Sequence, residues 1–427
     1  MRVLLISHTC QSKTEGQPKA ELVGRIRGVE LRVLVPDRWY HYGNWRAAQL
    51  PSAGAMPASF DMEVARVRWP WVKPAGWYLH YYPTLRKTLE EFRPDIIDLW
   101  EEPWALVSAQ ACWLRNRVLP KARIISETEQ NLDKRLPFPF ERWRKYVLRN
   151  ASFAVGRSSE AVAVLRDKGY EGPAEVVANA VDSQVFRRLD REACRQELGL
   201  RGFVAGYVGR LVEEKGLIDM VDALPDCHPA VNLLFVGSGP LEAELRQRAL
   251  EMGLESRVRF LAQQPGDALP RVMNAMDVLI LPSRTTSRWK EQFGRVIIEA
   301  HACETPVIGS DSGAIPQVVG SGGLIFRERN PAVLAVSINE LQASPDRCRR
   351  FGEIGRSQVE RHYTWKCVAE QMVRIYERVL DGSPNRAPNS PQTAPAGVAA
   401  HDGLDEHALD SDRMHALPAA SKRKKLQ

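Results

Sequence analysis

Short, uniformly apolar runs recur along the chain, each stopped by glycine, proline or a polar loop and followed by a stretch with helical spacing. Strands buried on both faces read this way, and their alternation with helices predicts an α/β fold built on parallel sheets. The first unit opens with a strand at Val3 to Ile6, a polar loop to about Pro18, a helix through Ile26 and a strand at Leu31 to Val35 closed by Pro36. Further strands are predicted at Met62 to Arg68, Ile96 to Leu99, Arg123 to Ser126, Phe153 to Val155 and Ala174 to Val177. The pattern changes near Asn179 to Phe186. A second series then begins, with strands at Phe203 to Val208, Leu233 to Val236, Val258 to Phe260, Val278 to Leu281, Pro306 to Ile308 and Leu324 to Phe326. A helical region carries the chain to Glu360, and a last helix presents Trp365, Val368, Met372, Ile375, Tyr376 and Val379 at helical spacing. From about Ser383 the composition turns to Pro, Ala, Asn and Asp, which predicts a disordered tail.

A chain of 427 residues is too long for one ordinary core, which agrees with the two alternating series. The apolar share of 44% and charged share of 26% are those of a globular protein, and no apolar run reaches the roughly 18 residues of a membrane span. MRVLLIS at the start reads as a strand rather than a signal peptide. Seven cysteines without CxxC or Cys/His spacing suggest reduced thiols in a cytoplasm and argue against structural zinc. A net charge of +7 points to anionic ligands or to peripheral contact with an anionic membrane. Nucleic acid is not expected as a partner, because no recognised binding motif accompanies the charge. Nine of the eleven tryptophans precede residue 150. They are read chiefly as core, although aromatic faces also stack on sugars. Phe140 to Arg149 puts Phe140, Trp143 and Val147 on one helical face with Arg142, Arg144, Lys145 and Arg149 around the rest, read as a helix docked on its own domain with a solvated basic face.

The stretch from Pro282 to Val319 carries the chemistry. After the buried run Val278 to Leu281 comes a turn at Gly294 and a helix predicted to start near Arg295, whose free N–H groups suit an anion. Glu291 stands at the mouth of this turn and Glu299 about one helical turn in, so the two carboxylates bracket a place for a hydroxyl-rich, phosphorylated ligand. Two glutamates at this spacing are by themselves usually surface acids. Here the helix is apolar on most sides, and a covered Glu299 needs a polar partner. In the second series, Arg210 and Lys215 flank a turn at a strand's carboxyl end, where two cations can meet a diphosphate. Gly237-Ser-Gly239-Pro lacks the third glycine and the acidic residue of a dinucleotide site and is read as a structural turn.

The run from Glu291 through Gln292-Phe293-Gly294-Arg295 to Glu299, followed by a strand and Ser312 to Pro316, resembles the E-x7-E signature of the family-4 retaining glycosyltransferases. Asn179 to Phe186 is similar to that family's hinge, and Gly209-Arg210 with Lys215 to its diphosphate-binding turn. The resemblance implies the GT-B architecture, two doubly wound Rossmann-like domains facing across a cleft. The expected boundaries are an acceptor-side domain at 1–182, a nucleotide-sugar-binding domain at 183–362, a helix returning to the first domain over about 363–382, and the tail at 383–427.

The resemblance also implies roles. Glu299 would hold the ribose, Glu291 and the backbone from Gln292 to Arg295 the donor sugar and phosphates, and Arg210, Lys215 and Gly209 the diphosphate. On the acceptor side the sheet rule selects the loops Ser7 to Lys19, Trp100 to Trp104 and Glu127 to Lys134, with Gly16, Glu129 and Asn131 as candidates. This chain departs from the family there, with only Gly16 in a first loop that is usually glycine-rich, and no histidine after the strand at Arg123. The expectation is a retaining transferase moving a sugar from a nucleoside diphosphate donor to a hydroxyl of a glycan or lipid-linked acceptor in bacterial polysaccharide synthesis. No cofactor and no metal are expected, on the reading that the chain lacks an Asp-x-Asp motif. The alternatives are a non-catalytic nucleotide-sugar-binding partner and another GT-B enzyme such as an epimerase.

Overall fold

A computed structural model describes residues 1–41, 44–51, 59–69 and 76–382. The predicted tail at 383–427 lies outside these residues, as does part of the aromatic-rich stretch after Trp69. In the first domain the strands are β1 (Arg2–Ile6), β2 (Glu30–Pro36), β3 (Arg38–His41), β4 (Asn44–Ala47), β5 (Asp61–Ala65), β6 (Ile96–Leu99), β7 (Arg123–Thr128), β8 (Phe153–Gly156) and β9 (Ala174–Val176). Seven of them form a parallel sheet in the order β5-β2-β1-β6-β7-β8-β9. In the second domain β10 (Phe203–Val208), β11 (Val231–Val236), β12 (Val258–Leu261), β13 (Val278–Leu281), β14 (Val307–Ser310) and β15 (Gly323–Phe326) form a parallel sheet in the order β12-β11-β10-β13-β14-β15. Both orders reverse direction beside the first strand, and the loops after β1 and β10 sit at that switch, where open parallel sheets bind ligands.

The central strands β6, β8, β13 and β14 are buried along their whole length, as two helix-covered faces require. The predicted strand to Arg68 is shorter, ending at Ala65: Trp69 takes a left-handed φ of 59°, and Arg68 instead bridges to Tyr81. The hairpin β3–β4 was not expected, since its aromatic and charged residues carry no alternating apolar face.

The returning helix belongs to the first domain. Trp365–Asp381 begins on a Thr364 cap and buries Val368, Met372, Ile375 and Tyr376 among Val3, Leu5, Ile96 and Val155. The chain crosses between domains at two adjacent points, where Val181 N donates to Tyr363 O at 2.8 Å and Val181 pairs with Thr364. Among the described residues no helix is long and apolar enough to cross a membrane.

The helix Phe140–Asn150 corrects one expectation. Arg144 is buried rather than part of a basic face, donating to Lys134 O at 3.2 Å and pairing with Glu141, while Arg142, Lys145 and Arg149 are exposed. Val147 and Trp143 dock on the domain as the apolar face predicts.

Candidate active site

β13 ends at Pro282, and the chain reaches the helix Arg295–Ala302 through a turn closed by Gly294, whose φ of 79° is left-handed. Gly294 caps the helix without a side-chain acceptor, so the first amides are left for an external partner. Phe293 is buried with its ring edge on Tyr363, 5.9 Å between centroids, and anchors the turn instead of presenting its ring. Gln292 is half-buried and Arg295 exposed at the helix start.

Glu291 is nearly enclosed. Its Oε2 accepts from Ser283 Oγ at 2.9 Å and lies 2.5 Å from Lys215 Nζ, while Lys215 also sits 4.6 Å over the Trp289 ring. Three elements therefore converge on one carboxylate: the end of β13, the turn after β10 and the pre-helix loop. The Ser312 loop closes in from a fourth side, Ala314 N donating to Glu291 O at 3.1 Å. Gly313, with φ of 58°, permits this approach; a Cβ there would stand 2.1 Å from Glu291 O. Glu299 is half-buried and has no hydrogen bond or ion pair among the described residues, and burial raises its carboxyl above the ordinary glutamate range against the pull of Arg295. A covered, unpaired carboxylate is costly unless a ligand hydroxyl meets it.

Gly209 ends β10 by donating to Val236 O at 3.0 Å. Arg210 is about half exposed, 3.6 Å from Glu214, and Tyr207 Oη donates to Arg210 O at 2.9 Å, which fixes the backbone of the turn. Arg210 and Lys215 thus bracket the same turn in different states: one reaches solvent, the other is tied to Glu291.

The first domain meets this site through Asn131, whose Nδ2 donates to Glu291 O at 2.8 Å. Beside it Lys290 pairs with Glu160 at 2.6 Å and Lys134 donates to Arg288 O. The carboxyl ends of the two sheets face one another across these contacts. Glu129 lies next to Asn131 with its N–H on Glu102 Oε1 at 2.9 Å, whereas Gly16 is buried against the backbone of Thr9 and Cys10 and packs the first loop from beneath. The predicted loop at Glu127 starts later than expected. β7 runs on to Thr128, and Glu127 is a core residue bonded to Lys19 Nζ at 2.6 Å and paired with Arg157.

Sequence reasoning missed a group at this end of the first sheet. His8 follows β1, and its Nδ1 lies 2.8 Å from both oxygens of Glu101, which also accepts from His8 N at 2.6 Å. The loops were marked, but residues 93 apart give no local sign of meeting. Glu102 accepts from Thr128 Oγ1 at 2.5 Å, and burial pushes its carboxyl up to about 8.

A model of the glycosyl transferases group 1 family matches residues 190–358. A D-inositol 3-phosphate glycosyltransferase from Corynebacterium jeikeium is 31% identical over 302 residues, covering 66% of this chain and 68% of that protein. The chain belongs to the group 1 glycosyl transferase family. Another relative of this glycosyltransferase, a GDP-mannose-dependent monoacylated alpha-(1-6)-phosphatidylinositol monomannoside mannosyltransferase from Corynebacterium glutamicum, is 31% identical over 196 residues, and the chain spans about half of it, 51%. Solved structures share the two-domain GT-B fold. Sucrose-phosphate synthase from Thermosynechococcus elongatus matches with a TM-score of 0.67 at 22% identity, over 90% of this chain and all (100%) of that one. The Anabaena protein HepE in complex with UDP matches with 0.67 at 21% identity, over 88% of this chain and 100% of that one.

Among the described residues no cluster of three metal-ligating side chains occurs. The expectation that the chain lacks an Asp-x-Asp is corrected by Asp410-Ser411-Asp412, which lies outside the described residues.

Proposed function

We propose that this glycosyltransferase takes a sugar from a nucleoside diphosphate donor and passes it, with retention at the anomeric carbon, to a hydroxyl of a glycan or glycolipid acceptor. The observation that carries this reading is the convergence of Lys215, Ser283 and Asn131 on Glu291 at the mouth of an uncapped helix, with unpaired Glu299 one turn further. In this reading Glu299 accepts from the ribose hydroxyls. Arg210, Lys215 and the amides at Gly294 to Val296 hold the diphosphate, and Glu291 with the backbone from Gln292 orients the transferred sugar. The dependence of a relative on GDP-mannose supports a nucleotide-sugar donor.

The reaction breaks the bond between the anomeric carbon and the diphosphate and forms one to the acceptor oxygen. The acceptor proton passes to the departing phosphate oxygen on the same face, so no side chain need act as covalent nucleophile. Charge grows on the leaving group, where fixed cations and helix amides stabilise it more than they stabilise the bound donor. The same cations make a divalent metal unnecessary in this reading. The basic residues Arg142, Lys145 and Arg149, beside strongly exposed Phe138, suit peripheral contact with an anionic membrane carrying a lipid-linked acceptor.

Incubating the protein with a panel of UDP-, GDP- and ADP-sugars and following nucleoside diphosphate release by mass spectrometry tests the reading. Release from one class of donor is expected. No binding or turnover of any nucleotide sugar would overturn it.

A further inference from the structure

His8 stands apart from the proposed donor grips, in the loop after β1, the third of seven strands in the first sheet and the one beside which its order reverses. Its ring is fixed on two sides. It stacks on Trp39 at 4.6 Å with 22° between planes, and Nδ1 is held by both oxygens of Glu101. Glu101 is buried, and His8 holds its carboxyl below the ordinary range although burial alone would raise it. An ionised carboxylate only accepts, so Nδ1 carries the proton and, in the neutral ring, Nε2 carries the lone pair. Nε2 makes no hydrogen bond among the described residues, and the side chain keeps 28% exposure. His80 does not compete for Glu101. Its Nδ1 donates to Trp77 O at 3.0 Å, its Nε2 remains 3.9 Å from Glu101, and burial lowers its pKa to about 4, so it stays neutral.

We propose that His8, oriented by Glu101, is the first-domain residue that binds the acceptor, its Nε2 accepting a hydrogen bond from an acceptor hydroxyl. This rests on the donor site proposed above. The acceptor class follows from charge: His8 is faced by Glu101 from the loop after β6, by Glu129 from the loop after β7 and by Glu15 from the loop after β1, with neutral His80 behind. Glu15 and Glu129 are offset by Arg46 at 3.7 Å and Arg157 at 3.8 Å, so the charge that weighs at the contact is the carboxylate of Glu101, whose partners are His8 and neutral His80; it disfavours an anionic group and favours a neutral sugar or polyol at this point.

The same carboxylates set a pH signature. Burial lowers the His8 pKa, but the charge and hydrogen bond of Glu101, with Glu129 and Glu15, outweigh it and raise the net value above 6.5. Below that raised pKa Nε2 gains a proton and stops accepting. Acceptor KM should therefore rise as pH falls through a point above 6.5, while donor KM stays level there.

Initial rates are measured between pH 5.5 and 9 with methyl α-mannoside, methyl α-glucoside and myo-inositol as neutral probes, and mannose 6-phosphate and inositol 3-phosphate as anionic ones. Wild type, His8→Ala, His8→Gln and Glu101→Gln are compared, with melting temperatures. The expected result is transfer to a neutral probe, acceptor KM raised about three- to ten-fold in both His8 variants with little change in donor KM, and the low-pH rise abolished. In Glu101→Gln the pH inflection should move down, since the charge that raises the His8 pKa is gone. Should His8→Ala fold poorly, the shift in Glu101→Gln decides. Wild-type acceptor KM and pH profile in all folded variants, or preference for the anionic probes, would overturn the His8 assignment while donor turnover leaves the donor site standing. Absence of nucleotide-sugar binding in wild type overturns both.

Discussion

Lys215 Nζ and Glu291 Oε2 lie 2.5 Å apart, joining the turn after β10 to the loop that opens the helix Arg295–Ala302. Both side chains are largely covered, so the pair is weakly screened and ties together the two loops of the proposed donor site. Diphosphate binding would place a stronger anion beside Lys215 and free Glu291 to accept from sugar hydroxyls. Lys215→Ala should therefore lower turnover about ten- to a hundred-fold or more, and Arg210→Ala should do so without disturbing Glu291. Turnover, donor affinity and melting temperature are compared with exposed, distant Lys121→Ala as control. Near-normal turnover in both site variants would remove the diphosphate assignment.

Glu299 gives a pH test of the donor grip. Burial raises its carboxyl above the usual 4.5, so it takes up a proton earlier than a surface glutamate as pH falls. The protonated form is the poorer acceptor for ribose hydroxyls, and donor KM should rise on the acid side at a pH above 4.5. Glu299→Gln should weaken donor binding and flatten that rise. An unchanged acid profile in the variant would detach Glu299 from the donor.

Gly313 tests the loop behind Glu291. With φ of 58° and Glu291 O 2.1 Å from where a Cβ would stand, Gly313→Ala has to move the Ser312 loop or the Glu291 backbone. Activity should fall about ten-fold or more, with a loss of stability of order 1–3 kcal/mol. Wild-type turnover and melting would show that this contact does not hold the site.

How much of this was legible in the sequence follows from range. The strands β10 and β13 and the helix Arg295–Ala302 have the predicted bounds, because buried parallel strands and a glycine-led helix start are local patterns. Glu291 and Glu299 stand out as candidates for the same reason. Asn131 was picked from the sheet rule, but its contact with Glu291 O spans 160 residues and has no local signature. Glu127 misled because β7 continues two residues past the predicted end at Ser126, and a glutamate inside a strand is tolerated here through Lys19 and Arg157, both distant in sequence.

That buried cluster has its own pH dependence. Asp98 lies beside Glu127 and accepts from Tyr376 Oη at 2.6 Å, and burial together with Glu127 raises it to about 8. The folded protein thus holds a proton on Asp98 that the unfolded chain has lost above about pH 4. This contribution to stability falls as pH rises from there through about 8. Asp98→Asn mimics the protonated form, so its melting temperature should gain on wild type between pH 5 and 9. A constant difference across that range would mean that Asp98 is ionised in the fold.

Domain closure is a further expectation. Asn131, Glu160 and Lys134 bond the Glu291 side of the cleft, while Val181 and Tyr363 carry the chain between domains. Asn131→Ala combined with Glu160→Ala should enlarge the radius of gyration in X-ray scattering, and nucleotide should restore much of the compaction. Identical scattering of variant and wild type would show that these bonds do not hold the domains together.

Retaining transfer from a nucleotide sugar without a metal is the proposal on which the donor-site expectations rest. It is tested most directly by proton NMR of the product formed from an α-linked nucleotide sugar by purified wild-type protein in excess chelator, read at the anomeric proton. Turnover under chelation is expected, with a product whose new linkage is α. A β-linked product, or activity lost in chelator and recovered with magnesium, would contradict it.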